Sequence, residues 1–223
     1  MQKKPKNSKQ VSGGSNFHIE FLNTAQKLAW AVFQQHDALF LIGPAGSSKT
    51  HLSIAFAVEQ LLNNKNIKKI VLTRPIVEAG ESLGFLPGSM EEKVHPYMMP
   101  IYDCLDSLVG RNNLQRERIE ECIEMAPLAF MRGRNFRNAI CIFDEAQNAT
   151  KAQLKLFLTR FCTGSKVIIN GDPLQSDLQG GKEALMDVVN KLNGVPGIGI
   201  VEFKNESIVR HPMVAHILER LES

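Results

Sequence analysis

The segment "ALFLIGPAGSSKTHLS", at residues 38–53, constrains the fold of this chain more than any other stretch. Its first five residues are apolar and predict a short buried strand, and the glycines that follow predict a tight bend before a helix. A strand, a bend and a helix in this order are typical of the phosphate-binding loop G-x-x-x-x-G-K-[ST]. Gly43, Lys49 and Thr50 match that pattern, whereas Ser48 stands in the place of its second glycine.

The loop predicts a site for a nucleoside triphosphate and Mg²⁺. Such a loop directs backbone N–H groups at the phosphates from a helix N-terminus, and its lysine reaches the terminal phosphates. We therefore expect Lys49 to pair with the β and γ oxygens and Thr50 to ligate Mg²⁺. The residues expected to contact the nucleotide are Gly43, Pro44, Ala45, Gly46, Ser47, Ser48, Lys49, Thr50 and His51. For His51, a position on the helix surface is an equal alternative.

Ser48 leaves two interpretations of the loop open. Glycine is used at this position because it tolerates unusual backbone angles and close approach to the ligand. If the angles are those of an ordinary helix entry, serine fits at little cost. If they are not, strain of about 1–3 kcal/mol weakens nucleotide binding. In the extreme case the chain is a pseudo-ATPase that binds nucleotide only structurally.

Two further strand ends carry polar residues that suit the same chemistry. Asp144 and Glu145 follow the apolar run of "ICIFDEAQ", where an aspartate can hold Mg²⁺ and a glutamate can polarise the attacking water. Solvated acids that cap the next helix are the alternative. Gln175 follows "VIINGDPL", where it can contact the γ-phosphate or its water, although Gly-Asp-Pro is also ordinary turn chemistry.

The rest of the chain predicts an α/β fold. Short apolar strands alternate with helices, which is typical of a mostly parallel sheet with helices on both faces. In such sheets, ligands bind at the carboxyl ends of the strands. We expect loops with short helices over residues 76–100, a helix over residues 114–125 and a final helix over residues 212–222.

Composition limits the classes of protein to which this chain can belong. The chain has 223 residues, 43% of them hydrophobic, which is enough for one large domain or two small ones with a full core. The net charge of +3 permits a nucleic-acid partner without indicating one. Four scattered cysteines predict reduced thiols in the cytoplasm and no zinc site, and no apolar run approaches the length of a membrane span. We interpret residues 1–16 as a disordered basic tail, which either contacts phosphate backbones or only aids solubility.

Several segments resemble a known family. "DEAQN" and "GDPLQ" are similar to the magnesium and sensor motifs of superfamily 1 helicases, and "NTAQ" is similar to their adenine-reading motif. The closer resemblance is to the PhoH-like family of predicted ATPases, whose hallmarks stand in order as "GPAGSSKT", "TRPIVEAGESLGFLPG", "EEKVHPYMMPIYDCL", "MRGRNF", "IFDEAQNAT", "INGDPLQSDL" and "ESIVRHPMV". This resemblance implies a single RecA-like P-loop NTPase domain over residues 17–223. The sequence departs from the family's usual loop glycine at Ser48, and from the patterns "MRGRT" and "TGD" at "MRGRNF" and "INGD".

The resemblance also implies roles for residues outside the loop. Gln26 reads adenine, Arg210 reaches the γ-phosphate, and three further arginines contact nucleic acid or a neighbouring subunit: Arg74, Arg132 and Arg134. Simple structural roles are the alternatives, because Arg74 can cap its strand end and the other two can belong to a solvated basic loop. The catalytic residues that we expect are Lys49, Glu145, Gln175 and Arg210.

Together these observations predict an ATPase that uses Mg²⁺ and is coupled to RNA or single-stranded DNA. Superfamily 1 helicases place ATP between two lobes, whereas this chain has one phosphate loop and about one lobe of strands. We therefore expect a homo-oligomeric ring, a hexamer by resemblance, in which Arg210 of one subunit completes the site of the next. A nucleotide-binding module or a phosphotransferase without a nucleic-acid partner is the alternative.

Overall fold

The computed structural model describes residues 17–75, 90–110, 114–178 and 180–204, together with the single residues 213 and 220. The strands are β1 (Ala38–Ile42), β2 (Lys69–Thr73), β3 (Ile123–Met125), β4 (Ala139–Phe143), β5 (Lys166–Gly171) and β6 (Ile198–Glu202). The helices are α1 (Thr24–Gln35), α2 (Lys49–Asn63), α3 (Met90–Val109), α4 (Leu114–Glu120), α5 (Lys151–Leu158) and α6 (Gly181–Leu192). Among the described residues, two 3₁₀-helices, Leu128–Met131 and Ala146–Asn148, precede β4 and α5.

Two predicted segments fall largely on residues that the structure does not describe. The predicted basic tail, residues 1–16, lies outside the described residues, and so does the predicted final helix apart from residues 213 and 220. Arg210 also lies outside them. These three predictions therefore stay predictions.

The six strands form one parallel sheet in the order β3–β2–β4–β5–β1–β6. All five residues of β1 are buried, which is expected for a central strand covered on both faces. Leu39 and Leu41 join one layer of core residues, and Phe40 and Ile42 join the other. The predicted α/β fold, with a parallel sheet and helices on both faces, is therefore confirmed.

Each face of the sheet has its own group of helices. The first core layer contains buried residues of α1 to α4, among them the stacked rings of Phe33 and Phe56, whose centroids are 5.3 Å apart. The second layer contains residues of α5 and α6, and here Phe157 packs edge-on against Phe143 at 4.9 Å. Burial on both faces fixes the strand register, because a slip of one residue would exchange the two sets of side chains.

The prediction of loops with short helices over residues 76–100 can be compared with the structure only from Met90, because residues 76–89 lie outside the described residues. From there one long helix replaces the expected short ones, since α3 begins at Met90 and continues through Pro96 and Pro100. A proline removes one backbone donor and clashes with the preceding turn, so a proline-rich segment favours loops and short helices. The helix nevertheless buries Ile101 and Leu105 in the core. That burial is the tertiary contribution that a local sequence rule does not include.

The predicted helix over residues 114–125 is wrong in its second half. Helix α4 ends at Glu120, and Ile123–Met125 form the edge strand β3, which pairs with β2. Glu124 of this strand forms ion pairs with Lys69 and Arg134. Burial alone would raise the pKa of Glu124, but the hydrogen bonds and charges of Lys69 and Arg134 lower it overall. Three residues are too few for strand alternation to stand out in the sequence.

Two further sequence predictions concern cysteines and membrane spans. All four cysteines are free of disulfides, and burial raises the pKa of the Cys141 thiol to about 12. Within the described ranges of the chain, no helix is both long enough and apolar enough to cross a bilayer.

The parallel sheet places several polar residues at one edge. Because all strands run in the same direction, their carboxyl ends lie together, and the residues that directly follow four of them are Gly43, Arg74, Asp144 and Asp172. The backbone bonds continue to this edge, where the Asp144 N–H donates to the carbonyl of Thr73 at 2.9 Å. Parallel sheets bind ligands at this edge.

Gly43 allows a close approach between this edge and β6, and its replacement tests that packing. Its φ is +154°, and a Cβ added there would lie 2.4 Å from the Phe203 carbonyl oxygen. Gly194 also has a positive φ, +80°, but a Cβ there would meet nothing within 4 Å. We expect Gly194→Ala to lower the free energy of unfolding by about 1 kcal/mol, and Gly43→Ala to lower it by more than about 2 kcal/mol because overpacking adds to backbone strain. Urea unfolding of the two variants measures this, and equal losses would contradict it.

Candidate functional site

The phosphate loop occupies the connection between β1 and α2. Gly43 and Gly46 both have positive φ, at +154° and +81°, so the bend uses the conformations that glycine favours. Ser47 is fully buried, and its hydroxyl donates to the Pro44 carbonyl at 2.8 Å. The loop is thus closed by its own side chain before α2 begins at Lys49.

Lys49 lies across the loop that precedes it. Its Nζ donates to the carbonyl oxygens of Gly43 at 2.7 Å and Pro44 at 2.8 Å, and lies 3.3 Å from Ser47 Oγ. The ammonium group is therefore held at the carboxyl end of β1, beside the first turn of α2. A positive charge at a helix N-terminus in a loop of this type can neutralise phosphate oxygens.

Ser48 has a strained backbone conformation, as in the second interpretation of the loop, in which serine weakens nucleotide binding. Its φ is +64° and its ψ is +25°, in the left-handed region, and its side chain makes no capping hydrogen bond to α2. An L-residue with a Cβ pays about 1–2 kcal/mol for this conformation. The serine is therefore a real departure from the pattern, with a cost in the loop itself.

Thr50 and Asp144, the two predicted magnesium ligands, lie together. Thr50 Oγ1 donates to Asp144 Oδ1 at 2.8 Å across a sequence separation of 94 residues. Asn170 Nδ2 donates to the same oxygen at 3.0 Å. Ser53 Oγ in turn lies 2.7 Å from Asn170 Oδ1 and 2.9 Å from the Lys49 carbonyl. A buried carboxylate requires such partners, and this network ties the ends of β4 and β5 to α2.

The donor set fits Mg²⁺. A hydroxyl and a carboxylate are hard oxygen ligands, and Mg²⁺ is usually held by one or two carboxylates together with substrate phosphates and water. Among the described residues, no cluster of three or more His, Cys, Asp and Glu side chains is arranged to hold a metal. Burial, the charge of Asp144 and the charge of Asp103 raise the pKa of the nearby Cys104 thiol to about 11, so this thiol stays protonated.

Glu145 is held by two partners of different character. Its φ is +54°, so it turns the chain out of β4 in a left-handed conformation. Its Oε1 accepts a hydrogen bond from Arg74 at 3.0 Å, and its Oε2 accepts one from Gln147 Nε2 at 2.6 Å. Arg74 follows β2, the neighbour of β4 in the sheet. The carboxylate that we expect to polarise water therefore has both oxygens oriented.

Gln147 connects Glu145 to the turn after β5. Its Oε1 accepts from the Asp172 N–H at 3.0 Å, and its Nε2 lies 3.3 Å from the Gln175 carbonyl. Gln147 is only 1% exposed. Gln175 itself is exposed in the turn, and its backbone carbonyl makes its contact with the network. Its role as a sensor of the γ-phosphate stays a prediction.

Gln26 lies in the first turn of α1, and His51 directly follows Thr50 in α2. Gln26 is 1% exposed, and its Oε1 accepts from the Leu22 N–H at 2.8 Å. His51 lies 3.0 Å from Ser107 Oγ, and burial lowers the pKa of its imidazole, which favours the neutral ring. These contacts fix both side chains locally, and their contact with a nucleotide base stays a prediction.

The other predicted arginines occupy different surroundings. Arg134 pairs with Glu124 and lies over the Phe136 ring, with its guanidinium carbon 4.9 Å from the ring centroid. Arg132 is exposed, and it lines a cavity of about 340 Å³ with residues of α5, Lys155 among them. Arg134 therefore supports the edge of the sheet, and Arg132 contributes to a basic concave surface.

Sequence reasoning missed three residues of the site. Asn170 and Ser53 complete the surroundings of Asp144, and Gln147 positions Glu145. The available signals were polar residues in otherwise apolar segments, such as the asparagine in "VIIN" and the serine in "LSIAFAV". A polar side chain in a buried strand or helix face requires a hydrogen-bond partner, and here the partners belong to the site.

Comparison with known proteins finds a matching family model and several similar proteins. The family model described as PhoH-like protein matches residues 18–222. A PhoH-like protein of Bacillus subtilis (strain 168) is 51% identical over 190 residues, which are 85% of this chain and 59% of that protein. A PhoH-like protein of Synechocystis sp. (strain ATCC 27184 / PCC 6803 / Kazusa) is 46% identical over 190 residues, 85% of this chain and 58% of that protein. The chain belongs to the PhoH-like family.

The PhoH-like chain is also similar to solved structures. The large terminase from a thermophilic bacteriophage has a TM-score of 0.55 at 12% identity, over 91% of this chain and 50% of the terminase chain. The complex of that terminase with ADP has a TM-score of 0.54 at 13% identity, over 88% and 49% of the two chains. At such low identity the likeness concerns the fold alone, which is the RecA-like P-loop NTPase fold. The PhoH-like chain spans just under three fifths of the length of the two curated relatives.

Replacement of Ser48 tests the strain in the loop. We expect Ser48→Gly to raise the free energy of unfolding by about 1 kcal/mol and to tighten ATP binding by up to ~10-fold, because glycine adopts a φ of +64° without a Cβ penalty. Ser48→Ala is the matched control, since it removes the hydroxyl and keeps the Cβ. Urea unfolding and calorimetric titration with ATP measure both quantities. If both variants bind ATP more weakly than the parent, the hydroxyl contributes a phosphate contact and the strain argument is wrong.

Proposed function

We propose that this PhoH-like chain binds ATP with Mg²⁺ and hydrolyses it. The observation that supports the proposal most directly is the 2.8 Å hydrogen bond between Thr50 Oγ1 and Asp144 Oδ1, with Lys49 held next to it. Two oxygen ligands and a cation at the N-terminus of α2 form a receptor for a metal–triphosphate complex. The terminase with the same fold binds ADP, which supports a nucleotide as the ligand.

The proposed chemistry assigns one task to each group. Lys49 and the loop backbone bind the phosphates, and Thr50 and Asp144 hold Mg²⁺. When bound, Mg²⁺ neutralises charge on the phosphate oxygens. Glu145 orients the attacking water and accepts its proton, and Gln147 holds one oxygen of its carboxylate in place for this task.

Coupling to RNA or single-stranded DNA is a second part of the proposal. Arg132 and Lys155 are exposed on the cavity of about 340 Å³, and none of the described residues that line this cavity is acidic. Phe130, two residues before Arg132 in the chain, is 53% exposed. Basic side chains and an exposed aromatic ring are the groups that bind the phosphates and bases of a single strand. The phosphotransferase alternative lacks a comparable supporting observation.

A ring of subunits is the third part of the proposal. The described residues form one lobe, with one sheet and one phosphate loop. In this proposal a second protein lobe supplies the cation that faces the γ-phosphate. Arg210 is the residue that we propose to supply it from the adjacent subunit, with a hexamer as the favoured ring. Head-to-tail contacts of this kind close into rings.

ATP hydrolysis by the purified protein, titrated with RNA and with single-stranded DNA, tests the proposed activity. We expect turnover that nucleic acid stimulates, no productive ATP binding in Lys49→Ala, and binding with turnover slowed by ~10²–10⁴-fold in Glu145→Gln. Lys182→Ala and Glu183→Gln change the same charges on the exposed face of α6 and serve as controls. Near-normal turnover in Lys49→Ala would contradict the site. Phosphate found on an acceptor other than water would favour the phosphotransferase.

Mixing two inactive variants tests the ring. If Arg210 acts on the neighbouring subunit, Arg210→Ala and Lys49→Ala are each nearly inactive, because a finger supplied in trans contributes ~10³–10⁵ in rate. Mixed rings contain some interfaces with an intact loop and an intact arginine, so we expect partial recovery of turnover. Sizing of each variant and of the mixture verifies assembly. Normal co-assembly with no recovery at any ratio would place Arg210 in its own subunit's site or in the fold.

A further inference from the structure

The ion pair between Arg74 and Glu145 joins two strand ends directly at the proposed catalytic carboxylate. Arg74 follows β2 and Glu145 comes two residues after the end of β4, and these strands are neighbours, with Thr73 opposite Phe143. Arg74 Nη2 lies 3.0 Å from Glu145 Oε1, and the two side chains are 31% and 34% exposed. The contact therefore belongs to the site and also faces solvent.

The two partners of Glu145 differ in how easily they can be replaced. Gln147 is 1% exposed, and its amide is also bonded to the Asp172 N–H and close to the Gln175 carbonyl. Its bond to Glu145 is part of a buried network, which is costly to break. Arg74 is a long, partly exposed side chain in an ion pair of the kind that contributes little net stability, because water and salt compete with it. Gln147 is thus the fixed partner and Arg74 the exchangeable one.

Arg74 also has the chemistry to bind a phosphate. A guanidinium carries five N–H donors in a planar fork, and it binds phosphate oxygens in pairs. The hydrogen bond to Glu145 engages one of these donors. A phosphodiester that approaches the exposed side of Arg74 would compete with Glu145 for the same fork.

We infer that Arg74 exchanges Glu145 for a phosphate of a single-stranded nucleic acid, so that strand binding releases one oxygen of the catalytic carboxylate. This inference rests on the proposed ATPase function and names how the strand regulates the same site. Before the exchange, Oε1 is engaged by a cation and is less available to accept a proton from water. After it, Gln147 still holds Oε2, so the freed carboxylate keeps its orientation. Competition for Arg74 is reciprocal, so whatever removes Glu145 must tighten strand binding.

The binding half of the test needs no ATP. Anisotropy of a fluorescein-labelled oligo(U) strand measures affinity for the parent, Glu145→Gln, Arg74→Ala and the double variant. We expect Glu145→Gln to bind up to about fivefold more tightly, because the competing charge is gone. Arg74→Ala should bind more weakly and reduce the slope of log affinity against log salt by about 0.7, the value for one phosphate contact with a single strand. The double variant should match Arg74→Ala, since the charge at position 145 can affect strand binding only while Arg74 is present.

Controls separate exchange from a general effect of charge. Glu183→Gln on α6 and Arg118→Ala on α4 make the same charge changes at exposed positions. Arg74→Lys keeps the charge without the fork, and its affinity should lie between those of the parent and Arg74→Ala. If Glu183→Gln tightens binding as much as Glu145→Gln, or if the double variant still binds more tightly than Arg74→Ala, the exchange is overturned.

The kinetic half of the test follows turnover with and without oligo(U). We expect Arg74→Ala to raise kcat without RNA toward the stimulated value of the parent, with the KM for ATP little changed and little further response to RNA. A fall in kcat in both conditions would instead make Arg74 a residue that only supports Glu145, and would overturn the exchange.

The outcomes distinguish this inference from the proposed function. If the parent does not hydrolyse ATP but the variants bind the strand as expected, the proposed hydrolysis is wrong and the exchange is supported. If the parent hydrolyses ATP but Glu145→Gln and Glu183→Gln bind the strand equally, only the exchange is wrong. No binding of the strand by any protein removes both the exchange and the coupling to nucleic acid, and leaves ATP hydrolysis.

Discussion

The hydrogen bond between Thr50 and Asp144 is the contact on which the geometry of the site depends. It joins the first turn of α2 to the residue after β4, across 94 residues of sequence. Asp144 is 5% exposed, and a buried carboxylate is costly unless donors surround it. Thr50 and Asn170 supply those donors, so the phosphate loop, β4 and β5 have to meet at one place. The two proposed metal ligands are brought together by the same requirement that allows Asp144 to be buried.

Backbone strain lies on both sides of this contact. The described residues include three non-glycine residues with positive φ, and two of them, Ser48 and Glu145, belong to the site. Each such residue costs about 1–2 kcal/mol, and it persists only where the surroundings determine the conformation. Those surroundings are the nine buried residues of α2 and the five of β4. The left-handed angle at Ser48 lets Lys49 lie back across its loop. The left-handed angle at Glu145 turns its side chain outward, away from the course of β4.

Much of this arrangement is predictable from local patterns. The loop, the acid pair and each single strand or helix lie within short windows of consecutive residues, where periodicity and turn chemistry are informative. Thr50 and Asp144, which were both predicted to bind Mg²⁺, come together once the strands are parallel, because the carboxyl ends of the strands share an edge. For these features the structure agrees with the sequence.

The remaining features depend on contacts between distant segments. Strand β3 is three residues long and is defined by its pairing with β2, and α3 passes through two prolines because its later turns bury Ile101 and Leu105. The backbone conformation of Ser48 is a property of the folded loop, and the sequence alone does not decide whether it is ordinary or strained. Gln147 lies within the motif "DEAQN", but its role depends on the turn after β5, which lies against it.

Asp144 and Glu145 show how one strand end serves two different purposes. They are consecutive residues, yet Asp144 is buried toward α2 and the Glu145 side chain is about one third exposed. The left-handed angle of Glu145 produces this difference, because it ends the alternation of β4 and carries the second carboxylate to the surface. A buried carboxylate exchanges partners at high cost, which suits the role of metal ligand that we propose for Asp144. A partly exposed carboxylate in an ion pair exchanges partners at little cost, which suits a group whose availability has to respond to a ligand. The division between a fixed and a responsive carboxylate therefore follows from a single backbone angle at the end of β4.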